Sequence, residues 1–204
     1  MAKSRIGVIV SSTRSRRFAD IPAQWLWQIV SKRDGAEFEL IDLRDYPMPF
    51  FEEKLSPMYG PPENEAALRW GAKIGSLDGY IFITAEYNHG VTAVLKNALD
   101  YAYMEYNRKP AAFVGYGGTG GARAIEQLRL VLAELQVASL KHTVHIGAGE
   151  MIGIVRQGKS MADYPYLADS TAPMLTEIVW WSDALKAARD RCFEETQIEF
   201  SHLK

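Results

Sequence analysis

The sequence Gly79-Tyr80-Ile81-Phe82-Ile83-Thr84-Ala85-Glu86-Tyr87-Asn88-His89-Gly90 joins an apolar run to a polar and aromatic loop. The run at 79–84 is continuous, which is typical of a strand buried on both faces of a parallel sheet. Beyond the loop, apolar residues recur at helical spacing from Val94 to Ala102. Open α/β sheets bind ligands in such loops between a buried strand and a helix. The stretch therefore predicts an α/β fold with a ligand site at residues 84–90.

Two other loops follow apolar runs in the same way. Ser11–Arg17 follows the run Arg5–Val10, and Tyr116–Gly121 follows the run Pro110–Gly115. Parallel strands that lie side by side end at one edge of their sheet, which would bring all three loops together. We expect this edge to be the active site.

Strand and helix patterns alternate along the chain. Strands are predicted at 5–10, 37–43, 79–84, 110–115 and 140–146, and helices at 18–29, 63–76, 91–104, 121–135 and 173–195. Asp20 is the expected cap of the first helix, and the glycine-broken segment 147–172 is expected to be irregular. This alternation predicts a doubly wound parallel sheet of five strands, with residues 1–204 as one domain.

Composition excludes several classes of function. The chain has 204 residues, of which 48% are hydrophobic, and a formal net charge of -2, so it has no basic field for nucleic acid or an anionic membrane. No apolar run is long enough to span a membrane and no signal peptide is visible, so we expect a soluble, cytoplasmic protein. The single cysteine, Cys192, excludes an internal disulfide and a multi-cysteine metal site.

The loop at residues 11–17 is rich in hydroxyl and guanidinium groups. It contains neither a GxGxxG nor a GxxxxGK[ST] pattern, which excludes the usual dinucleotide and triphosphate loops. Loop N–H groups with the side chains of Ser12, Thr13, Arg14 and Arg17 suit a terminal monophosphate. A solvated basic turn is an equally good interpretation of this loop by itself.

The loop Tyr116-Gly117-Gly118-Thr119-Gly120-Gly121 contains four glycines between a strand and a helix. Glycines allow positive φ and let backbone N–H groups approach the edge of a flat heterocycle without a clash from Cβ atoms. A flexible connection is the alternative, but each glycine carries an entropic cost that a simple turn does not require.

The long segment 44–62 carries five prolines and six aromatic or methionine residues. Long loops inside compact domains are more often functional than idle, so we expect residues 46–51 to wall the site. A lid that merely packs over the core is the alternative.

No residues suggest hydrolysis or a metal centre. There is no GxSxG elbow, and Cys192 falls on the apolar stripe of a helix, where a small buried hydrophobe is expected. His142 and His145 lie three apart on a strand and should face opposite sides, and His202 lies in the tail. Lys96 and Asp100 are expected to form an exposed ion pair.

Three motifs together resemble the NADPH-dependent FMN reductase family of flavodoxin-like proteins, which includes quinone, azo-compound and chromate reductases. They are Ser11–Arg14 with Arg17, Glu86–His89 with Lys96–Asp100, and Tyr116–Gly118 with Gly120–Ala124. The resemblance covers residues 5–135 and implies a flavodoxin-like sheet of strand order 2-1-3-4-5.

The resemblance also implies the site. It places the FMN phosphate at Ser12, Thr13, Arg14 and Arg17. It places the isoalloxazine ring against Glu86, Tyr87, Asn88 and His89, with its pyrimidine edge on the loop Tyr116, Gly117, Gly118, Thr119 and Gly120. Similar family members are homodimers or homotetramers with flavins near a subunit interface. Such an interface would suit the Tyr- and Met-rich helix end at 101–104, and packing of this helix on its own sheet is an equally good role for these residues.

Three residues depart from the family pattern. Ser11 stands where glycine is common, Ala85 where proline is common, and Gly115 where serine is common. We expect the first to alter the phosphate turn slightly, the second to loosen the backbone beside the flavin, and the third to remove a hydroxyl contact.

The expected reaction is ping-pong. NAD(P)H, either NADPH or NADH, reduces FMN and leaves, and a small-molecule acceptor then takes the electrons. The acceptor classes are quinones, flavins, azo compounds and metal oxyanions, with His89 and Tyr87 orienting either substrate. Backbone N–H groups of the glycine loop stabilise the charge of the reduced ring.

Two other functions remain open. A flavodoxin-type electron carrier binds FMN without oxidising NAD(P)H, but such carriers are usually strongly acidic and this chain is near neutral. A binding protein or regulator that needs no FMN is the third hypothesis, because a fold alone does not establish activity.

Overall fold

The computed structural model describes residues 2–201, with side chains as far as residue 191. It contains one five-stranded parallel sheet of order β2-β1-β3-β4-β5. The strands are β1 Ser4–Val10, β2 Ala36–Asp42, β3 Gly79–Ala85, β4 Pro110–Tyr116 and β5 Ala138–Ile146. The predicted sheet and strand order are confirmed.

Helices cover both faces of the sheet. They are α1 Asp20–Val30, α2 Glu65–Gly75, α3 Ala93–Asp100, α4 Ala122–Glu134, α5 Ala148–Arg156 and α6 Pro165–Ser201. Side chains of α1 and α6 pack on one face, and those of α2, α3 and α4 pack on the other. The residues of β3 alternate between the two faces of the sheet. Ile81 and Ile83 pack in the core beneath α1 and α6, whereas Tyr80 and Phe82 pack in the core beneath α2, α3 and α4, and all four are fully buried. A strand covered on both sides must be apolar throughout, as 79–84 is.

The prediction that residues 147–172 are irregular was wrong. They form α5, a 3-10 turn at Met161–Asp163 and the first turns of α6. The glycines reflect packing rather than loops: a Cβ on Gly153 would lie 1.9 Å from the Tyr164 hydroxyl. Pro165 is the first residue of α6, where its missing N–H is not needed, so α6 begins there and not at Pro173.

Two other helix predictions need correction. Helix α3 ends at Asp100 instead of 104, because the chain turns to bury Tyr106, whose hydroxyl lies 3.1 Å from Trp70 Nε1. Asp20 does not cap α1: Ala19 holds the cap position, and Asp20 accepts from Arg17 Nε at 2.7 Å. The predicted Lys96–Asp100 ion pair is confirmed at 2.7 Å. The Cys192 side chain and His202 lie outside the described residues.

Backbone hydrogen bonds continue the sheet into the loops at its C-terminal edge. Ser11 N donates to the Ile83 carbonyl at 3.1 Å, Glu86 N to the Tyr116 carbonyl at 2.9 Å, and Gly117 N to the Ile146 carbonyl at 3.1 Å. The loops therefore leave the sheet from fixed starting points. Among residues 2–201, no helix combines the length and apolar character needed to cross a membrane.

Candidate active site

The three predicted loops meet at one edge of the sheet. Ser12 Oγ lies 3.3 Å from the Tyr87 hydroxyl, which joins the first loop to the second. Thr119 Oγ1 donates to the Glu86 carboxylate at 3.1 Å, which joins the third loop to the second. The predicted convergence of the loops is confirmed.

A cleft of about 470 Å³ opens beside the first two loops. Its lining comes from Ser12–Arg14, from Met48–Phe50, from Tyr87, and from the start of α3 at 92–94 with Asn97. Within the segment 46–51, hereafter the lid segment, residues 48–50 form one wall of the cleft. The start of α3 was missed as a wall, although Thr92 carries the sequence pattern of an N-cap residue.

The first loop presents free backbone donors. Within the described chain, the amides of Ser12, Thr13 and Arg14 donate to no protein acceptor. Thr13 and Arg14 are exposed, and the Arg14 guanidinium carbon lies 5.9 Å from the centre of the Tyr87 ring. Three free amides beside two hydroxyls and a guanidinium can hold an anion.

Ser11 forms hydrogen bonds with the sheet and with the start of α3. Its hydroxyl donates to the Ile83 carbonyl at 2.7 Å, and its own carbonyl accepts from Thr92 Oγ1 at 2.6 Å. The residue is fully buried. The serine that departs from the family's common glycine is therefore accommodated below the loop surface.

Arg17 is committed to protein partners. Its guanidinium pairs with Asp42 through both terminal nitrogens, bonds Asp20 through Nε, and donates to the Ser12 carbonyl at 2.5 Å. The side chain is 4% exposed. Burial by itself raises the pKa of Asp42, but hydrogen bonds from Arg17 and Arg44 outweigh it and hold that pKa below its usual value. Arg17 therefore fixes the shape of the first loop from beneath.

The second loop is a tight turn. Tyr87 and Gly90 exchange backbone hydrogen bonds of 2.9 and 3.0 Å, and Asn88 and His89 between them have φ of 52° and 68°. Two central residues with positive φ make a type I′ arrangement, which exposes both side chains. Residues held in this region persist only where their surroundings fix them, and they concentrate at ligand sites.

The Glu86 side chain connects the second loop to the third loop and to the start of α4. Its side chain is 3% exposed, and its carboxylate accepts from Thr119 Oγ1, Arg123 Nε and the Arg123 amide. Burial raises the pKa of Glu86, but these hydrogen bonds and the Arg123 charge lower it further, so it lies below its usual value. Arg123 lies in the third sequence motif, but no local pattern shows its pairing with Glu86, 37 positions earlier.

The third loop leaves two amides free. The Gly117 amide donates to the Ile146 carbonyl, and the Gly120 amide donates to the Gly117 carbonyl. The amides of Gly118 and Thr119 donate to no acceptor in the described part of the protein. A Cβ on Gly118 would meet nothing within 4 Å. Gly118 therefore lies open toward a ligand.

Gly115 is required by close packing. A Cβ there would lie 2.6 Å from Ile125 Cδ1 and 2.7 Å from the Gly120 carbonyl oxygen. The serine that is common at this position does not fit this backbone. Ala85, the third departure, ends β3 in register with Tyr116, so the sheet fixes the backbone there without a proline ring.

The Tyr116 ring turns down into the core and lies 5.4 Å from the ring of Phe18. Its hydroxyl is buried and has no hydrogen-bond partner in the described structure. Burial raises the pKa of Tyr116 to about 12, so the phenol stays protonated and keeps a proton to donate.

His142 and His145 have separate partners. His142 Nε2 lies 3.7 Å from Glu177, and His145 Nδ1 lies 2.9 Å from the Gly120 carbonyl oxygen. Within residues 2–191, no three His, Cys, Asp or Glu side chains are grouped to hold a metal ion.

Comparison with known proteins decides the family. Residues 4–150 match the model of the NADPH-dependent FMN reductase family. The chain belongs to this family. It is an oxidoreductase, with FMN as cofactor and NAD(P)H as co-substrate.

Individual relatives agree with this family. An NAD(P)H-dependent FMN reductase of Schizosaccharomyces pombe is 38% identical over 65% of this chain and 68% of that protein. An NADPH:quinone oxidoreductase of Arabidopsis thaliana is 38% identical over 48% of this chain and 50% of its own. The flavoenzyme NAD(P)H:(acceptor) oxidoreductase FerB of Paracoccus denitrificans shares the fold with a TM-score of 0.66 and 22% identity, over 89% of this chain and 98% of that chain.

This edge of the sheet has the donors that FMN requires. The free amides of the first loop suit a phosphate, and the open Gly118 and Thr119 amides suit a ring edge with carbonyl acceptors. The two sets lie at one edge of one sheet and are linked through Tyr87 and Glu86. The residues present therefore fit the cofactor of the family.

Proposed function

We propose that this FMN reductase transfers electrons from NAD(P)H to a small-molecule acceptor in a ping-pong reaction. When bound, FMN supplies the centre that accepts a hydride and passes the electrons on. The observation that carries the proposal is the pair of free-amide sets, at residues 12–14 and 118–119, on one edge of the sheet.

The first loop is proposed to hold the phosphate. The Ser12 and Thr13 hydroxyls and the Arg14 guanidinium supply donors and charge, together with the free amides. Arg17 belongs to the predicted set, but its guanidinium is occupied by Asp42, Asp20 and the Ser12 carbonyl. We therefore assign to Arg17 the task of holding the Ser12 backbone in its binding shape.

The second and third loops are proposed to hold the ring. Glu86 fixes the spacing of the two loops, and Tyr87, Asn88 and His89 supply the wall of the ring pocket. The Gly118 and Thr119 amides donate to the pyrimidine edge and stabilise negative charge there. Tyr116, Gly117 and Gly120 shape this loop, since the Gly117 amide donates to the Ile146 carbonyl of β5 and the Gly120 amide donates to the Gly117 carbonyl.

The acceptor is proposed to be a quinone, with flavins, azo compounds and metal oxyanions as further acceptors. The support is that the side chains of Asn88 and His89 are exposed, and that one relative is an NADPH:quinone oxidoreductase. Either NADPH or NADH is proposed as the electron donor. A net charge of -2 argues against a carrier that docks to basic protein partners.

A second copy of the chain is proposed to cover the apolar surface beside the cleft. Phe50 is 83% exposed and Tyr59 is 76% exposed, and Leu55 and Met104 are also exposed. Exposed apolar groups that form one contiguous patch mark an association surface. Light scattering on the purified protein should give a dimer or a tetramer, and a monomer would contradict this assignment.

Steady-state kinetics test the ping-pong order. With NADPH varied at several fixed benzoquinone concentrations, double-reciprocal plots should be parallel. Lines that intersect would show that both substrates must be bound together and would contradict the proposal.

A further inference from the structure

The Arg123 guanidinium contacts one of the two ring nitrogens of His89. Arg123 NH1 lies 2.8 Å from His89 Nε2. A guanidinium has donors only, so Nε2 must be the acceptor and must carry no proton. In the neutral ring the proton is then on Nδ1.

Arg123 is itself held in place. Its Nε donates to Glu86 Oε1 at 2.6 Å, its terminal NH2 pairs with the same carboxylate, and its amide donates to Glu86 Oε2 at 3.1 Å. The Glu86 carboxylate is also fixed by Thr119. Because the guanidinium is planar, a carboxylate that holds one side aims NH1 in one direction.

His89 has one donor left for a ligand. Its turn is fixed by the two backbone bonds between Tyr87 and Gly90, and its side chain is exposed at the edge of the site. Within the described chain, Nδ1 of His89 has no hydrogen-bond partner. An Nδ1–H group therefore faces either solvent or a bound molecule.

We propose that Arg123 is a positioning residue that holds His89 in the neutral Nδ1–H tautomer, so that His89 offers one N–H donor to a carbonyl oxygen of the electron acceptor. The acceptor class that matches this donor is a quinone, whose oxygens accept hydrogen bonds. The acceptor part of this inference rests on the proposed function, whereas the tautomer does not.

The tautomer is measured without cofactor or substrate. Nitrogen-15 correlation spectra of the histidine rings, recorded on FMN-free protein at about pH 8, distinguish protonated from unprotonated ring nitrogens. His89→Gln assigns the His89 signals. We expect Nδ1 protonated and Nε2 unprotonated in the wild type. The Nε2–H form in the wild type would overturn the proposal, whatever the activity of the enzyme.

Variants show whether Arg123 is the cause. Arg123→Met should move the His89 signals toward the Nε2–H form that a free imidazole side chain favours. Arg123→Lys serves as a second variant, since it keeps the charge beside Glu86 but cannot reach both partners as a fork. Arg129→Lys, on the same helix with partners at Thr143 and Lys141, is the matched control and should leave the His89 signals unchanged. Unchanged His89 signals in both Arg123 variants would overturn the proposal.

Kinetics test the link to the acceptor. Arg123→Met should raise KM for benzoquinone by about 3- to 10-fold, the size of one hydrogen bond. In a His89→Ala background, Arg123→Met should add no further increase in KM. An equal increase in that background would show that Arg123 acts by another route. Failure of NADPH to reduce the wild type would instead contradict the proposed function, and the tautomer would still be measurable.

Discussion

The side-chain amide of Asn97 donates a hydrogen bond from Nδ2 to the Pro49 carbonyl at 2.7 Å. Its Oδ1 accepts from the amide of Phe51 at 2.9 Å, so one α3 side chain grips the lid segment on both sides of Phe50. Asn97 and Pro49 both line the cleft. Asn97 therefore links the wall of the site to the helix that follows the second loop.

Asn97→Ala should loosen the lid segment. Each lost hydrogen bond costs about 0.5–1.5 kcal/mol, so amide exchange at 46–51 should be about 10-fold faster or more. Hydrogen exchange measured by mass spectrometry checks this. Lys96→Ala is the control, since it removes only an exposed ion pair with Asp100 and should leave exchange in the lid segment unchanged. Equal exchange in the wild type and Asn97→Ala would contradict the assignment.

Gly115→Ala should damage the third loop. Its Cβ would press on Ile125 and on the Gly120 carbonyl, and such overpacking costs about 1–3 kcal/mol of unfolding free energy. Affinity for FMN should fall as well, since the displaced backbone belongs to the glycine loop. Thermal unfolding and fluorescence titration with FMN measure the two effects.

Gly149→Ala is the control for this substitution. Gly149 lies in α5 and a Cβ there meets nothing within 4 Å, so alanine should leave stability equal or raise it by up to about 1 kcal/mol. A Gly115→Ala protein as stable as this control would show that the strand and the glycine loop are not so closely packed.

Asp42→Asn should destabilise the first loop at neutral pH. Arg17 would lose its charged partner while remaining buried, at a cost of about 1–3 kcal/mol. The folded-state pKa of Asp42 is lowered, so its contribution is present above the ordinary carboxyl pKa and is lost as pH falls through the lowered value. The difference in unfolding free energy between the wild type and Asp42→Asn should therefore shrink in acid.

Denaturant unfolding at about pH 7 and about pH 3 measures this difference. Asp34→Asn, at an exposed position, is the control and should change stability by less than about 0.5 kcal/mol. A difference between wild type and Asp42→Asn that grows in acid would contradict the sign of the argument.

Lys109 should make the protein more stable as pH rises above about 8. Its Nζ donates to the Ile74 and Gly75 carbonyls, and burial, followed by the charge of Arg189, lowers its pKa to about 8. Between this pKa and the unfolded value near 10.5 the unfolded chain binds the extra proton, so unfolding free energy rises with pH by at most about 3 kcal/mol.

Lys109→Met isolates that effect. The wild type should gain stability relative to Lys109→Met between about pH 8 and pH 9.5, as measured by urea unfolding. Equal pH profiles for the two proteins would show that Lys109 titrates as an ordinary surface lysine.

The sheet could be predicted because its apolar runs are a local feature of the sequence. The hydrogen bonds and ion pairs that hold the loops of the site in place could not be predicted. Continuous apolar runs such as 79–84 show burial on both faces, and strands placed side by side bring their loops to one edge. The pairs Arg17–Asp42, Glu86–Arg123 and Asn97–Pro49 join residues 25, 37 and 48 positions apart. No periodicity specifies such pairs, since they depend on how the loops fold over the edge.

The glycine content led to a wrong prediction of a loop at 147–172 and to a correct prediction of a loop at 117–121. At Gly153 the absence of a side chain makes room for Tyr164 within a helix, which composition alone cannot distinguish from a loop. At 117–121 the glycines do form a loop, and Gly117, Gly120 and Gly121 have positive φ. The sequence shows the same residue in both places, and the tertiary neighbour decides its role.

The central claim is that one sheet edge binds FMN and lets NAD(P)H reduce it for a second substrate. The most direct test is an anaerobic absorbance titration of the FMN-loaded protein with NADPH, repeated with NADH, followed by benzoquinone. The account predicts that the flavin bands bleach with at least one nucleotide and return when benzoquinone is added. Flavin bands that stay unbleached with both nucleotides, although FMN is bound, would contradict it and favour an electron carrier that receives its electrons from another protein.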